Sequence, residues 1–264
     1  MLHTADELSR EESAFLVELF DRVGLDAGAY RCETLARRLP ACLRQLRAAS
    51  IRQARVILEK SPALATSAVE SAVIGVSGFF RDAPVFQQIA SDVLPMLAAR
   101  RGCLRCWSAG CSDGQEMYST AMLLSEMKRL CGTELLGTDC RAGAIARACD
   151  ARYDPAVLRD IPPLLRERYV ELETANTSRL AAVIRKSICW RRADITRCAE
   201  RGPWDLIFCR NLVMYLQPGV ASGVWRRLEL ALRPGGFLVV GKAERPAGSS
   251  HLVPHGPCLY RKVA

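Results

Sequence analysis

Trp107-Ser-Ala-Gly-Cys-Ser-Asp-Gly-Gln-Glu116 is the stretch on which the fold is decided. The apolar run Leu104–Ala109 before it reads as a buried strand, and Gly114–Leu130 after it reads as a helix. Gly110 and Gly114 allow sharp turning and close backbone approach to a ligand, and the new helix opens with unpaired N–H groups. A strand, a glycine turn and a helix in that order form the nucleotide-loop position of a doubly wound sheet.

The pattern continues outward from this loop. Glu134–Thr138 reads as a second strand, ended by Asp139, about 25 residues after Gly114. An acid at that place suits a pair of ribose hydroxyls, and an N-cap of the following helix, Ala142–Ala151, is the competing role. Trp204–Cys209 is a third buried strand, ending in Arg210 and Asn211. Val220–Leu232 is a helix, and Arg233-Pro-Gly-Gly turns into a fourth strand, Phe237–Gly241. Alternating strands and helices predict an α/β fold with a parallel sheet covered on both faces.

Residues 1–72 have another texture. Ser9 and Glu12 have capping-box spacing, and Phe15, Leu16, Leu19 and Phe20 follow at helical intervals. Leu35, Leu39, Leu43 and Leu46 continue the rhythm, with Pro40 expected to kink or break that helix. We therefore expect a small all-α domain over residues 1–72 and the sheet domain over 73–264.

Bulk properties bound the function. The chain has 264 residues, half of them hydrophobic and a quarter charged, with a formal charge of +9. No apolar run reaches the roughly 18 residues that span a bilayer, so membrane insertion is not expected. Met1–Arg10 is polar and acidic, unlike a secretory signal, which predicts a cytoplasmic protein. The twelve cysteines are scattered and are read as reduced thiols. Cys103 and Cys106 are three apart on or beside a strand and face opposite ways, so no metal site is expected. Arg31–Lys60 carries Arg31, Arg37, Arg38, Arg44, Arg47, Arg52, Arg55 and Lys60 against Glu33 and Glu59. That face is either solvated or a docking surface for an acidic partner.

The order of glycine loop, acid, strand-end pair and Pro-Gly-Gly turn is similar to class I (Rossmann-like) methyltransferases. The G-x-G-x-x-G of dehydrogenases is absent. More narrowly, Ser77-Gly-Phe-Phe-Arg81, the Trp107–Ser119 loop, Phe208-Cys-Arg-Asn211 and Gly241–Glu244 together resemble the CheR-type chemotaxis receptor methyltransferases, from about residue 12 to the C-terminus. The resemblance implies S-adenosyl-L-methionine as cofactor and glutamate carboxylates of a chemoreceptor, or another acidic helical protein, as methyl acceptor. It implies a helical N-terminal domain and a small β insertion, here at about residues 168–192. A monomer is expected.

Carried over by position, the resemblance places Ser77 where the family has a cofactor-contacting Thr. Arg81 falls at the cofactor and transfer site, and Tyr215 is implied to line the transfer site. Glu116 and Gly110 belong to the cofactor loop, Asp139 to the ribose, and Arg210 and Asn211 to the strand-end pair. Gly75 replaces a usual Asn and Gln115-Glu116-Met117 a usual Glu-Glu-Pro. Asp194-Ile195 replaces a usual Asn-Leu on the adenine side, and Lys242-Ala243-Glu244 a usual His-Ser-Glu. A glutamate carboxylate is ionised at neutral pH, so the chemistry asks for alignment and exclusion of water more than for a base. This suits a chain with only three histidines, His3, His251 and His255, none in a motif. Two other readings are a nucleic-acid methyltransferase and a cofactor-binding sensor without transfer. Asn211-Leu-Val-Met lacks the Asn-Pro-Pro-Tyr form that amino-group methylators place there, and no nucleic-acid partner is expected.

Overall fold

The computed structural model describes residues 8–73, 75, 77–100 and 102–263. His3 and most of the segment read as lacking an export signal lie outside these residues. The chain divides into two units, one of residues 1–74 and 214–221, the other of residues 75–213 and 222–264.

The first unit holds α1 (Arg10–Asp21), α2 (Cys32–Gln45), α3 (Ile51–Lys60) and α4 (Leu64–Ala72). The Ser9 and Glu12 capping box forms: the Ser9 Oγ accepts from the Glu12 N–H, and Glu12 Oε2 accepts from the Ser9 N–H at 2.7 Å. Phe15, Leu16, Leu19 and Phe20 are all buried, each contributing on the order of 2 kcal/mol to the core. α2 runs on through Pro40, so of the expected kink or break the break does not occur. The Pro40 ring is exposed, so solvent is at hand for the carbonyl its missing N–H leaves free.

The second unit opens with α5 (Ala83–Gln88) and α6 (Leu94–Ala98), joined by a π-helical turn at Ile89–Val93. Then come β1 (Leu104–Ala109), α7 (Gln115–Glu126), β2 (Thr133–Asp139), α8 (Ala142–Asp150) and β3 (Arg152–Tyr153). α9 (Pro163–Tyr169), β4 (Val170–Thr174), β5 (Thr177–Leu180), α10 (Ala182–Arg185) and β6 (Ile188–Arg192) follow. The rest is β7 (Trp204–Cys209), α11 (Pro218–Ala231), β8 (Leu232–Val240), β9 (Leu252–Gly256) and β10 (Leu259–Lys262).

The main sheet has the order β6-β2-β1-β7-β8-β10-β9. Its first five strands are parallel, and β10 and β9 add an antiparallel edge. The α/β class I arrangement expected from the sequence is present. The chain winds from β1 outward to β2 and β6, then crosses back to β7 on the other side of β1. That reversal opens a crevice at the carboxyl ends of β1 and β7, where such folds bind ligands. Every residue of β7 is buried, as a central parallel strand requires. Trp107 of β1 lies 5.9 Å from Trp204 and donates its indole N–H to Thr138 Oγ1 on β2 at 2.9 Å.

The β insertion differs from its expected bounds. A separate antiparallel sheet, β3-β5-β4, starts at Arg152 and ends at Leu180. Residues 188–192, expected inside it, form β6 and pair in parallel with β2 from Leu135↔Ile188 to Asp139↔Arg192. The buried Ile188 and the ring of Trp190 over Gly137 give this strand its place in the main sheet. Residues 214–221, expected in the sheet domain, group with the helical unit: the Arg31 N–H donates to Tyr215 O at 2.9 Å, and Tyr30 bridges Leu216. The Pro-Gly-Gly turn is a bulge within β8, between the pairings Trp204↔Leu232 and Leu206↔Phe237.

Candidate cofactor and transfer site

The carboxyl ends of β1, β2, β7 and β8 bring the motifs together. After β1 the chain turns at Gly110, whose φ is +75°. An added Cβ there would stand 2.3 Å from Leu212 Cδ1, so only glycine fits. The loop is tied to the neighbouring strand by the N–H groups of Gly110 and Cys111, which both donate to Thr138 O. α7 then starts with Gln115 and Glu116 in its buried first turn.

Glu116 is the centre of a buried polar chain. Its Oε1 accepts from Ser108 Oγ at 3.0 Å, and its Oε2 accepts from Arg210 Nη1 at 3.0 Å. Arg210 Nη2 donates to Asp82 Oδ2 at 2.5 Å and to Arg81 O at 3.2 Å. The chain ends at solvent, where Nζ of the exposed Lys242 lies 2.6 Å from Asp82 Oδ1. Burial pushes the Asp82 carboxyl up, but the Lys242 hydrogen bond and the charges of Arg210, Lys242 and Arg81 outweigh it. The net effect holds Asp82 below the ordinary carboxylate value. Paired and hydrogen-bonded in this way, the buried charges are tolerable.

Asn211 follows with a left-handed backbone, φ +54°. It is held by Glu244, which is buried and accepts four backbone N–H groups at 2.7–2.9 Å, from Asn211, Leu212, Val213 and Gly241. One carboxylate thus locks the end of β7 to the end of β8. Asp139, at the end of β2, accepts from the Ser112 N–H at 2.9 Å and from Arg141.

Ser77, Gly78, Arg81, Gly110, Cys111, Glu116, Arg210 and Asn211 line one cavity. A second, wider cleft shares Ser77, Gly78 and Arg81 and adds Phe80, Asp82, Ala83 and Asp160. Burial pushes the Cys111 thiol well up, so it stands neutral in the cavity wall. Two buried atoms beside the cavity, Gln115 Oε1 and Arg210 Nε, have no hydrogen-bond partner among the described residues. A polar, zwitterionic ligand suits such a lining.

Of the residues singled out in the sequence, Ser77, Arg81, Gly110, Glu116, Arg210 and Asn211 converge on this cavity. Gly75 is close by, its carbonyl accepting from Ser112 Oγ at 3.3 Å. Asp194 follows β6, and its Oδ1 accepts from the Thr196 N–H and hydroxyl. The Ala193 N–H donates to Asp139 O at 3.0 Å, which brings the Asp194-Ile195 segment to the end of β2. Ile195 is buried. Tyr215 lies on the 214–221 segment of the other unit. Asp82, Arg141 and Asp160 were not picked out, and Lys242 was named only as a departure from the family's usual pattern. Asp82 directly follows the quoted Phe-Phe-Arg and has a left-handed φ of +61°, the one local signal that could have flagged it.

Among the described residues no helix is long and apolar enough to cross a membrane. The chain matches the family model "CheR methyltransferase, SAM binding domain" over residues 75–255. It is 31% identical over 229 residues to a chemotaxis protein methyltransferase of Listeria monocytogenes, covering 84% of this chain and 85% of that protein. It is 30% identical to chemotaxis protein methyltransferase 1 of Pseudomonas aeruginosa, over 63% of this chain and 64% of that one. Among solved structures, N-methyltransferase NodS of Bradyrhizobium japonicum with S-adenosyl-L-homocysteine is 19% identical over 61% of this chain and 63% of that one. Its TM-score of 0.34 is too low to bear on the site. With a family match over more than half its length and a relative aligned along most of it, the chain belongs to the CheR family of S-adenosylmethionine-dependent methyltransferases.

Proposed function

We propose that this chain transfers a methyl group from S-adenosyl-L-methionine to glutamate side-chain carboxylates of a chemoreceptor, giving methyl esters. The observation that carries this reading is the cleft beside the cofactor cavity: it presents Arg81 among Ser77, Gly78 and Phe80, together with Asp160 and with Asp82, which is paired to Arg210 and Lys242, and no histidine among its described lining residues. Arg81 is the cation of that lining that would meet an anionic acceptor, and a carboxylate that is already ionised needs no base.

In this reading Ser77, Gly110, Glu116, Asp139, Arg210 and Asn211 hold the cofactor, with Asp194 and Ile195 on its adenine side and Gly75 allowing close approach. When bound, the cofactor supplies an electrophilic methyl on a sulfonium. The acceptor's carboxylate oxygen would take that methyl, with the electron pair of the broken carbon–sulfur bond left on the departing thioether. No proton moves. Arg81 draws the carboxylate in and fixes its direction, and its charge is placed by the Asp82 backbone turn and the Arg210 bond to Arg81 O. Tyr215, four residues after Asn211, is proposed to align the acceptor.

For the acceptor protein, the basic stretch of α2 and α3 divides in two. Arg31, Arg38 and Arg55 are used inside the fold, on Leu216 O, Ser71 O and Glu18. Arg37, Arg44, Arg47 and Arg52 are exposed. These four are proposed to steer an acidic receptor helix. A monomeric, cytoplasmic enzyme with no nucleic-acid substrate is part of the same proposal.

The test uses methyl-labelled cofactor and receptor cytoplasmic fragments. Label that is released as methanol by mild base is the expected product. Base-stable label, or label on nucleic acid only, overturns the reading.

A further inference from the structure

The carboxylate of Asp139 has no acceptor capacity to spare. Oδ1 accepts from the Arg141 N–H at 2.9 Å and from Arg141 Nε at 3.0 Å. Oδ2 accepts from the Ser112 N–H at 2.9 Å and from Arg141 Nη2 at 3.1 Å. A carboxylate offers about four lone-pair sites, and four donors occupy them. Two of the four come from the Arg141 side chain.

That side chain is itself built in. Arg141 is only 7% exposed. Burial disfavours its charge, but the hydrogen bonds and charge of Asp139 outweigh that and hold it ionised beyond its ordinary value. Its guanidinium lies over Gly75: a Cβ at residue 75 would stand 2.0 Å from both Nη atoms. The seat of Arg141 therefore requires that residue 75 have no side chain.

We propose that Arg141 is an internal competitor for the cofactor's ribose, its guanidinium holding the acceptor sites on Asp139 that a ribose diol needs. The inference rests on Asp139 being the ribose acid. Cofactor binding then requires the guanidinium to let go of Oδ1 and Oδ2. The carboxylate does not lose its aim when this happens, because the backbone N–H groups of Ser112 and Arg141 still hold one site on each oxygen. The apparent affinity for cofactor is the intrinsic affinity multiplied by the fraction of time for which Arg141 is released. The residue at 75 sets that fraction, because it is the floor on which the guanidinium rests.

Calorimetric titration of the full chain with S-adenosyl-L-homocysteine tests this. Arg141→Met keeps the stem and removes the donors, and is expected to bind about tenfold tighter than wild type. Gly75→Ala leaves Arg141 in the chain but pushes the guanidinium off its seat, and is expected to shift affinity in the same direction. If Arg141→Met fails to fold, Arg141→Gln decides in its place, because Gly75 is itself placed beside the cofactor. A residue that merely supported the site would weaken binding when removed. Weaker or unchanged binding in the folded variants, with Asp139→Asn still weakening it, overturns the competitor role and leaves the ribose reading intact. Unchanged affinity in Asp139→Asn removes the ribose reading itself, and the proposal with it.

Discussion

Glu116 and Arg210 meet at 3.0 Å, Oε2 to Nη1, and so tie the first turn of α7 to the end of β7 across the switch point of the sheet. The two come from segments 94 residues apart in sequence. Both are nearly out of contact with solvent, so each depends on the other for its charge to be tolerated.

Removing one partner should therefore cost much more than a surface pair does. Glu116→Ala is expected to lose about 3 kcal/mol of stability, since Arg210 stays buried with Asp82 as its remaining carboxylate. Glu116→Gln keeps the shape and loses less. Urea unfolding followed by tryptophan fluorescence measures both. A loss below about 1 kcal/mol in the alanine variant would show that the pair does not carry the sheet edge.

Glu244 receives four backbone N–H groups, and only a carboxylate can accept all of them. Glu244→Gln turns an amide N–H toward these donors. We expect a loss of about 2–3 kcal/mol and weaker cofactor binding, because the left-handed turn at Asn211 loses its anchor. Equilibrium unfolding and calorimetry give the two values.

Asp82 makes stability depend on acid. Its folded carboxyl titrates below the ordinary value of 3.8. The stabilisation it gives is complete above that ordinary value and is lost as pH falls through the lower, folded value. As pH falls below about 4, the wild type should lose stability faster than Asp82→Asn, which has no such contribution to lose. Parallel unfolding curves of the two proteins over that range would remove Asp82 from the account.

Arg81 and Tyr215 are expected to separate binding from transfer. Tyr215→Phe should leave S-adenosyl-L-homocysteine affinity within about twofold while lowering the transfer rate at least tenfold. Arg81→Ala should lower transfer and raise the receptor concentration needed for half-maximal rate. Equal loss of cofactor binding in Tyr215→Phe would place the tyrosine with the cofactor instead.

Asp139→Ala is expected to weaken cofactor binding by about 10–100-fold, the range for lost hydrogen bonds to a charged group. The same calorimetric titration checks it.

Much of the site was legible because parallel strands place their carboxyl ends together. Gly110, Asp139, Arg210 and Asn211 each end or follow a strand whose apolar run is plain in the sequence, so topology alone gathers them. The harder parts are those in which a residue acts through a distant partner. Asp82 looks like a surface charge until Arg210 is found on one of its carboxylate oxygens and Lys242 on the other. Arg141 looks like the start of a helix until Gly75 is found beneath its guanidinium. The strand Ile188–Arg192 carries polar and charged residues on its exposed side, which hid its membership of the main sheet.

What the sequence by itself determined is the alternation of apolar strands and amphipathic helices, the capped helical start, and the glycine loop and acid at the carboxyl ends of two neighbouring strands. These are local patterns, set by side-chain period and turn chemistry. Only the tertiary structure decided where the β insertion ends, that residues 214–221 group with the helices, and that Asp139 is already saturated by Arg141. Those outcomes depend on which groups meet in space, and hydrogen-bond capacity is counted only once the donors have been brought together.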